Sequence, residues 1–99
     1  MTLEIKRHAD EITIEVVGRL DTTTAPALEK TLRDDVGEAA RLVLDLKGLE
    51  YISSAGLRVL KLLYMALRKK NGELEIKNAN KLVMAVFEMT GFAGLLTFI

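Results

Sequence analysis

The spacing of hydrophobic residues changes several times along the chain, and each change marks a predicted element. LEIKR and ITIEVVG alternate apolar and polar residues as half-buried strands do, and HADE between them predicts a turn, so the chain opens with a hairpin. The spacing then lengthens to four residues at Leu28, Leu32 and Val36. This period predicts a helix over DTTTAPALEKTLRDDV that ends near Gly37.

The first helix carries the residues expected at a helix start. Thr23 or Thr24 is expected to cap it, and Pro26 is tolerated in the first turn because the amide that proline lacks would be unpaired there. The next segment, RLVLDL, is short, branched and almost wholly apolar, as in a strand that is covered on both faces. A strand, a helix and a second buried strand predict a crossover connection.

The second half of the chain alternates helices and strands. SSAGLRVLKLLYMALRKK predicts a helix that stops at the left-handed pair Asn71-Gly72, and ELEIK predicts a strand. NKLVMAVFEM predicts a third helix with Leu82, Val86 and Met89 on one side. TGFAGLLTFI predicts a broken helical turn before a terminal strand. Together these elements predict a mixed sheet faced by helices.

Composition limits the class of protein. Ninety-nine residues, 49% of them hydrophobic, suffice for one core, so residues 1–99 are expected to form a single domain. The formal net charge of +0 gives no general electrostatic reason to bind nucleic acid. The absence of cysteine excludes disulfides and thiolate chemistry. No apolar run is long enough to span a membrane, so we expect a cytoplasmic domain without membrane insertion.

The stretch YISSAGLRVL places two serines where a buried segment turns into a helix. One interpretation is capping: a serine oxygen accepts a hydrogen bond from a free amide of the first turn, and Gly56 lets the helix approach the sheet. The other is a reversible switch. A helix N-terminus favours negative charge, and a phosphate on Ser53 or Ser54 would carry about −1.5 to −2 charges. The residues alone leave both interpretations open.

The helix after the serines has two dissimilar faces. Placing its residues at intervals of about 100° directs an apolar set toward the core, namely Val59, Leu60, Leu63, Tyr64 and Leu67. Ser54 projects onto the opposite stripe, which combines cations with one adaptable methionine: Arg58, Lys61, Met65, Arg68 and Lys69. This stripe is either a recognition surface or an ordinary solvated face.

The residues give little support to catalysis. A nucleophilic serine needs a base within reach, and the one histidine, His8, lies in a charged turn beside the first strand. GLRVL lacks the glycine of a nucleophile elbow, and GRLD and GEAA are not phosphate loops. No His, Asp and Glu residues have metal-ligand spacing. We therefore expect a binding module with no catalytic residues, no metal and no cofactor, and a serine-dependent hydrolase is the least favoured hypothesis.

Three blocks resemble the STAS domain family and, more narrowly, the bacterial anti-sigma factor antagonists. GRLDTTTAPALE resembles the family's G-x-[LI]-D…[ST]-A-P segment. LVLDLKGLEYISSAGLRVL resembles its buried strand followed by D-S-[ST]-G-L, and FEMTGFAGLLTFI resembles its closing helix, T-G-[LF] and last strand. The blocks cover essentially the whole chain. The resemblance implies an α/β, STAS-like mixed β-sheet of about four to five strands faced by about four helices.

The resemblance assigns roles to individual residues. Ser54 takes the place of the family's phosphorylated serine, and Ser53 stands where the family has an aspartate. Asp21 matches an acidic residue of an earlier loop that lies close to this serine in the family's fold. We call Ser53, Ala55 and Gly56, which flank the phosphorylation site Ser54, the switch loop. The residues expected to contact a partner are Asp21, Thr24, Leu57, Arg58, Lys61 and Met65.

The resemblance also implies partners. An unphosphorylated antagonist binds an anti-sigma factor, which is a serine kinase with a GHKL-type ATP site, and the sigma factor is released. Phosphorylation weakens the complex, and a metal-dependent serine phosphatase resets it. An alternative within the same fold is a non-phosphorylated STAS subunit that docks on the ATPase of an ABC-type lipid transporter. The residues leave self-association open: the edge strands predicted from LEIKR and TFI could pair with another copy, but ordinary edges look the same.

Overall fold

The computed structural model describes residues 1–35 and 39–99, so Val36 and Gly37, which the helix prediction used, lie outside the described residues. The elements in chain order are β1 (Thr2–His8), β2 (Glu11–Leu20), α1 (Ala25–Asp35), β3 (Arg41–Asp45), β4 (Leu49–Ile52), α2 (Ser54–Lys69), β5 (Glu73–Lys77), α3 (Lys81–Thr90) and β6 (Thr97–Phe98). A 3₁₀ helix over Phe92–Gly94 separates α3 from β6.

The strands form one mixed sheet in the order β1-β2-β3-β5-β6, with β4 also paired to β2. β1 and β2 make the predicted antiparallel hairpin, and β2 and β3 are parallel neighbours joined through α1, as expected for a crossover. The register shifts between Gly18 and Arg19, where β2 pairs with β4. Gly18 has a φ of +107°, which glycine adopts at little cost. This irregularity brings the end of β2 beside the end of β4.

The helices pack on one face of the sheet. Alternate residues of β2 and β3, such as Ile14 and Leu44, belong to a single buried apolar cluster. The same cluster contains Leu28 of α1, Leu60 of α2 and Phe87 of α3. Because one cluster holds residues from all three helices and the same side of the strands, it forms the core of the domain.

The opposite face of the sheet is charged. Arg41 of β3 bonds to Glu75 of β5, and its Nη1 lies 3.1 Å from Oε2 of Glu11 on β2. The hydrogen bond with Glu75 raises the pKa of Arg41, which keeps the guanidinium charged beside a buried carboxylate. Val43 of β3 lies on this same face, opposite Glu75 in the register, and it is also buried. The centre of β3 is therefore covered on both faces, as predicted.

The count of elements differs slightly from the expectation. The described residues form six strands, three α-helices and one 3₁₀ helix, compared with the expected four to five strands and four helices. β4 is the strand that sequence reasoning missed. Its buried residues Leu49 and Ile52 are three positions apart, which does not match the period of a strand. In α3 the buried residues are Val83 and Phe87, whereas Leu82 of the predicted apolar side is exposed.

Candidate functional site

Ser53 is the N-cap of α2. It has extended backbone angles, φ −99° and ψ 176°, and its Oγ accepts a hydrogen bond of 3.4 Å from the amide of Gly56. Its carbonyl accepts the first helical bond, from Leu57 at 3.0 Å. The capping interpretation is therefore confirmed for Ser53, because these two bonds are the ones that define an N-cap.

Ser54 is the first residue of α2, and it has a different environment. Its side chain is exposed, and its hydroxyl makes no hydrogen bond within residues 1–35 and 39–99. The first-turn amides and the helix dipole create a positive field at this position. A phosphoryl group on Ser54 Oγ would therefore lie in a favourable field of its own helix, without the loss of an existing bond.

Gly56 sets the distance between α2 and the sheet. A Cβ added there would lie 2.7 Å from Cγ of Leu20 and 2.9 Å from Cγ1 of Ile52, closer than real Cβ contacts. The predicted close approach at Gly56 is confirmed. Gly56 is buried and Ala55 is half-buried between it and Ser54, so the switch loop lies against the ends of β2 and β4.

The loop before α1 is organised by Asp21. Its Oδ1 accepts hydrogen bonds from the amide and the hydroxyl of Thr23, at 3.0 and 2.7 Å, and from the amide of Thr24 at 3.2 Å. The hydroxyl of Thr23 is the main cause of the lowered pKa of Asp21, so the carboxylate is stabilised in its charged form.

The expectation that Thr23 or Thr24 caps α1 is wrong. The Thr24 hydroxyl accepts from the Asp21 amide at 2.9 Å and donates to the carbonyl of Arg19 at 2.8 Å. The Thr23 hydroxyl is bonded to Asp21. The two side chains are thus occupied within the loop, and the backbone carbonyl of Asp21 accepts the amide of Ala25 at 2.8 Å.

The two loops meet, as the resemblance implied. The amide of Ser53 donates to the carbonyl of Leu20 at 2.8 Å. Because Asp21 directly follows Leu20, this hydrogen bond holds the switch loop beside the loop that Asp21 organises. Arg19 strengthens this junction, since its guanidinium lies 4.4 Å from the ring centroid of Tyr51 and its Nε lies 4.0 Å from Oδ2 of Asp21. Sequence reasoning missed the contact between Arg19 and Tyr51, because no local spacing predicts a contact between residues on different strands.

The exposed stripe of α2 forms as predicted from the helical spacing. Ser54, Arg58, Lys61 and Met65 are exposed and follow one another at helical spacing, and Arg58 Nη2 lies 3.8 Å from Oε1 of Glu29 on α1. We call these four residues of α2 the recognition stripe.

Leu57 does not belong to that surface. It is 8% exposed and belongs to the core cluster, because it projects from α2 toward the sheet. Leu57 therefore presents little surface in the free chain, and its contact with a partner stays a prediction.

An apolar groove runs between α1 and α2. Its volume is about 460 Å³, and its apolar lining is formed by Leu32, Val59, Leu62, Leu63, Ala66 and Leu67. Leu62 is 45% exposed here, which sequence reasoning did not note. A second groove of about 520 Å³ reaches the switch loop at Ala55 and shares Glu29, Arg33 and Val59 with the first. The surface beside Ser54 therefore combines charge with accessible apolar area.

Other kinds of site find no support in the part of the chain that the structure describes. There, no group of three or more acidic or histidine side chains is arranged to hold a metal ion. His8 is the last residue of β1, while Ser54 begins α2. Among these residues no helix is both long and apolar enough to cross a membrane.

The fold and the site define an α/β domain of the STAS type, in which the start of α2 exposes the hydroxyl group of Ser54. The chain belongs to the STAS domain family: residues 3–97 match the family profile described as "Mlab, STAS domain".

Several proteins similar to this chain are named as antagonists of anti-sigma factors. The chain is 33% identical to an anti-sigma-B factor antagonist of Listeria monocytogenes over 98 residues, which is 97% of this chain and 86% of that protein. It is 42% identical over 79 residues to the putative anti-sigma factor antagonist BtrV of Bordetella bronchiseptica, covering 79% of this chain and 68% of the relative. The crystal structure of an anti-sigma factor antagonist from Mycobacterium paratuberculosis is similar, with a TM-score of 0.87 and 28% identity over 98% of this chain and 83% of that one.

Proposed function

We propose that the chain is an anti-sigma factor antagonist whose binding is switched by phosphorylation of Ser54. The observation that carries this proposal is the difference in hydrogen bonding and exposure between two adjacent serines. Ser53 is engaged as the helix cap, whereas Ser54 is exposed with its hydroxyl unbonded among the described residues. The names of the relatives support the general role, and the motif resemblance supports the choice of Ser54.

The recognition stripe is the proposed contact surface, together with the loop at Asp21 and Thr24. In the unphosphorylated state Lys61 and Met65 offer a charged and an adaptable apolar contact to an anti-sigma factor of the GHKL serine kinase type. Binding of this factor releases the sigma factor. ATP belongs to the kinase, so the chain itself needs no cofactor, and its place of action is the cytoplasm.

Phosphorylation acts through charge and volume at the edge of this surface. A dianion on Ser54 would be buried in the complex, where desolvation is costly unless the partner supplies a matched cation. Arg58 follows Ser54 by one helical turn, its side chain is exposed, and its ion pair with half-buried Glu29 is long, at 3.8 Å. The phosphate is therefore expected to draw Arg58 away from Glu29 and to change the stripe that the partner contacts. A metal-dependent serine phosphatase would restore the first state.

The test is affinity capture from a lysate of the native bacterium with wild-type protein and the Ser54→Asp variant. We expect the wild type to recover a GHKL-type kinase, identified by mass spectrometry. The variant should bind the purified kinase at least tenfold more weakly, equivalent to about 1.4 kcal/mol. An unchanged dissociation constant for a folded variant would contradict the switch.

The matched control is Ala85→Glu, which adds one negative charge at an exposed position of α3. We expect this variant to bind the kinase like the wild type, because it leaves the recognition stripe unchanged. Equal weakening by both variants would show a general effect of charge and would remove Ser54 from the proposal.

A second candidate function is docking on the ATPase of an ABC-type lipid transporter without phosphorylation. It is favoured by Ser53, which replaces the aspartate of the antagonist motif and which the helix uses as a cap. The matched family profile is not restricted to antagonists by its description. Recovery of the same transporter ATPase by wild type and by Ser54→Asp would support this function and leave Ser54 as an ordinary surface residue.

A further inference from the structure

The two edges of the sheet differ in length. At one edge β6 has only two residues, Thr97–Phe98. At the other edge β1 has seven residues, and among the described strands it pairs only with β2, in seven consecutive register pairs without a bulge. A long, regular and open edge is able to accept another strand, whereas a short one offers few backbone groups. The edge at β1 is therefore the one suited to pairing.

The side chains of β1 also leave its inner face incompletely covered. Leu3 and Ile5 point to the helix-covered face and are only half-buried, whereas the neighbouring strand residues Ile12, Ile14 and Val16 are 2% exposed or less. A second strand beside β1 would cover Leu3 and Ile5 further. Such a strand would extend the sheet and cover the half-buried side chains of its inner face.

Charge on the outer face selects one register for a second copy. In an antiparallel pair related by a two-fold axis, side chains on the same face meet when the axis passes through a residue. With the axis at Ile5, Glu4 of each chain lies opposite the partner's Lys6. With the axis at Glu4 or at Lys6, two glutamates or two lysines face each other, which is destabilising.

An internal conflict is relieved by the same register. Within the chain, Glu4 lies directly opposite Glu15 of β2. Lys6 Nζ lies 3.6 Å from Oε1 of Glu15 and its side chain is 62% exposed. In the register centred on Ile5, the partner's Lys6 approaches Glu4 from the open side, so each lysine lies between two carboxylates of different chains.

We infer that the chain forms a symmetric dimer through antiparallel pairing of β1 with β1 of a second copy, with Ile5 opposite the partner's Ile5 and Glu4 opposite the partner's Lys6. The contact uses no residue of the recognition stripe, so it is independent of the function proposed for Ser54. The Ser54→Asp variant is expected to dimerise like the wild type.

The first test is sedimentation equilibrium of the full chain over a series of concentrations. Glu4→Lys places two lysine pairs across the axis and is expected to raise the dimer dissociation constant at least tenfold. The fold should survive, because the new lysine faces Glu15 of its own chain. The urea midpoint of the monomer is therefore expected to stay at or above that of the wild type.

The matched control is the charge swap Glu4→Lys with Lys6→Glu, which restores opposite charges across the axis. We expect this double variant to recover most of the dimerisation that the single variant loses. A wild type that stays monomeric throughout the series, a Glu4→Lys variant that dimerises unchanged, or a double variant that recovers nothing would overturn the inference.

The second test fixes the register by crosslinking, which is simple because the chain has no cysteine. Directly opposite residues have Cα atoms about 4.5–5.5 Å apart, within the range of a disulfide. Ile5→Cys is therefore expected to form a disulfide-linked dimer under mild oxidation. Leu3→Cys is the control, because it points to the same face but would lie about 14 Å from its counterpart. Equal crosslinking of the two variants would overturn the register.

Discussion

The starts of α1 and α2 lie side by side, yet their hydroxyl groups are used differently. Before α1, the hydroxyls of Thr23 and Thr24 are bonded to groups of the same loop, at distances of 2.7 to 2.9 Å. Before α2, Ser53 is bonded and Ser54 is exposed and unbonded among the described residues. The difference shows that a hydroxyl at a helix start is available for modification when a neighbouring residue, here Ser53, already makes the capping hydrogen bond.

The comparison also separates what shapes the site from what is presented to a partner. Asp21 and Thr24 were expected to contact a partner, and the structure places both in a hydrogen-bonded loop where they are half-buried. Their hydrogen bonds give this loop its shape, and the loop stays part of the proposed contact surface beside the recognition stripe. The recognition stripe of α2 is built on a helix whose position depends on Gly56 and on the cap, so changes at these two residues should have the largest effects.

The largest effect is expected from Gly56→Ala. The new Cβ would lie 2.7 Å from Leu20 and would force α2 away from the ends of β2 and β4. Overpacking of this kind lowers the free energy of unfolding by about 1–3 kcal/mol. Urea denaturation monitored by circular dichroism measures the loss. The control is Gly94→Ala, where no heavy atom lies within 4 Å of the added Cβ. Similar losses for both variants would show that the close approach at Gly56 is not what holds the switch loop.

A smaller effect should distinguish the two serines. Ser53→Ala removes the N-cap bond to Gly56 and is expected to lower the free energy of unfolding by about 1 kcal/mol. Ser54→Ala removes a hydroxyl on the surface and should change it by less than about 0.5 kcal/mol. The same urea measurement compares them. If Ser54→Ala were as costly as Ser53→Ala, the Ser54 hydroxyl would be structural and the contrast between the serines would disappear.

Sequence reasoning predicted the elements whose signals are local. The alternation in β1 and β2, the apolar face of α2 and the close approach at Gly56 are each determined by residues near one another in the chain, and each was confirmed. The stop of α2 was also confirmed, since Asn71 has a φ of +58°.

The features that were missed depend on tertiary contacts. α3 is apolar nearly all round, so its period does not reveal that Phe87 is buried while Met89 is 80% exposed. Leu57 follows the switch loop in sequence, but the turn of the helix directs it into the core. The contact of Arg19 with Tyr51 exists only because β2 and β4 pair, and β4 itself was not predicted.

The smallest effect is expected from the charge of Asp21, which a pH series can isolate. The Thr23 hydroxyl lowers the pKa of Asp21 below 3.8, so folding favours the charged form. The stabilisation is therefore fully present above the unfolded pKa and is lost as the pH falls through the folded value. Asp21→Asn keeps an acceptor oxygen but no charge. The stability difference between wild type and this variant, measured by urea denaturation, should be largest near neutral pH and shrink below about pH 4. Thr23→Val, which removes the main cause of the shift, should weaken this dependence. A difference that stayed constant down to pH 3 would mean that Asp21 organises the start of α1 by geometry alone, and the two helix starts would differ only in the exposure of Ser54.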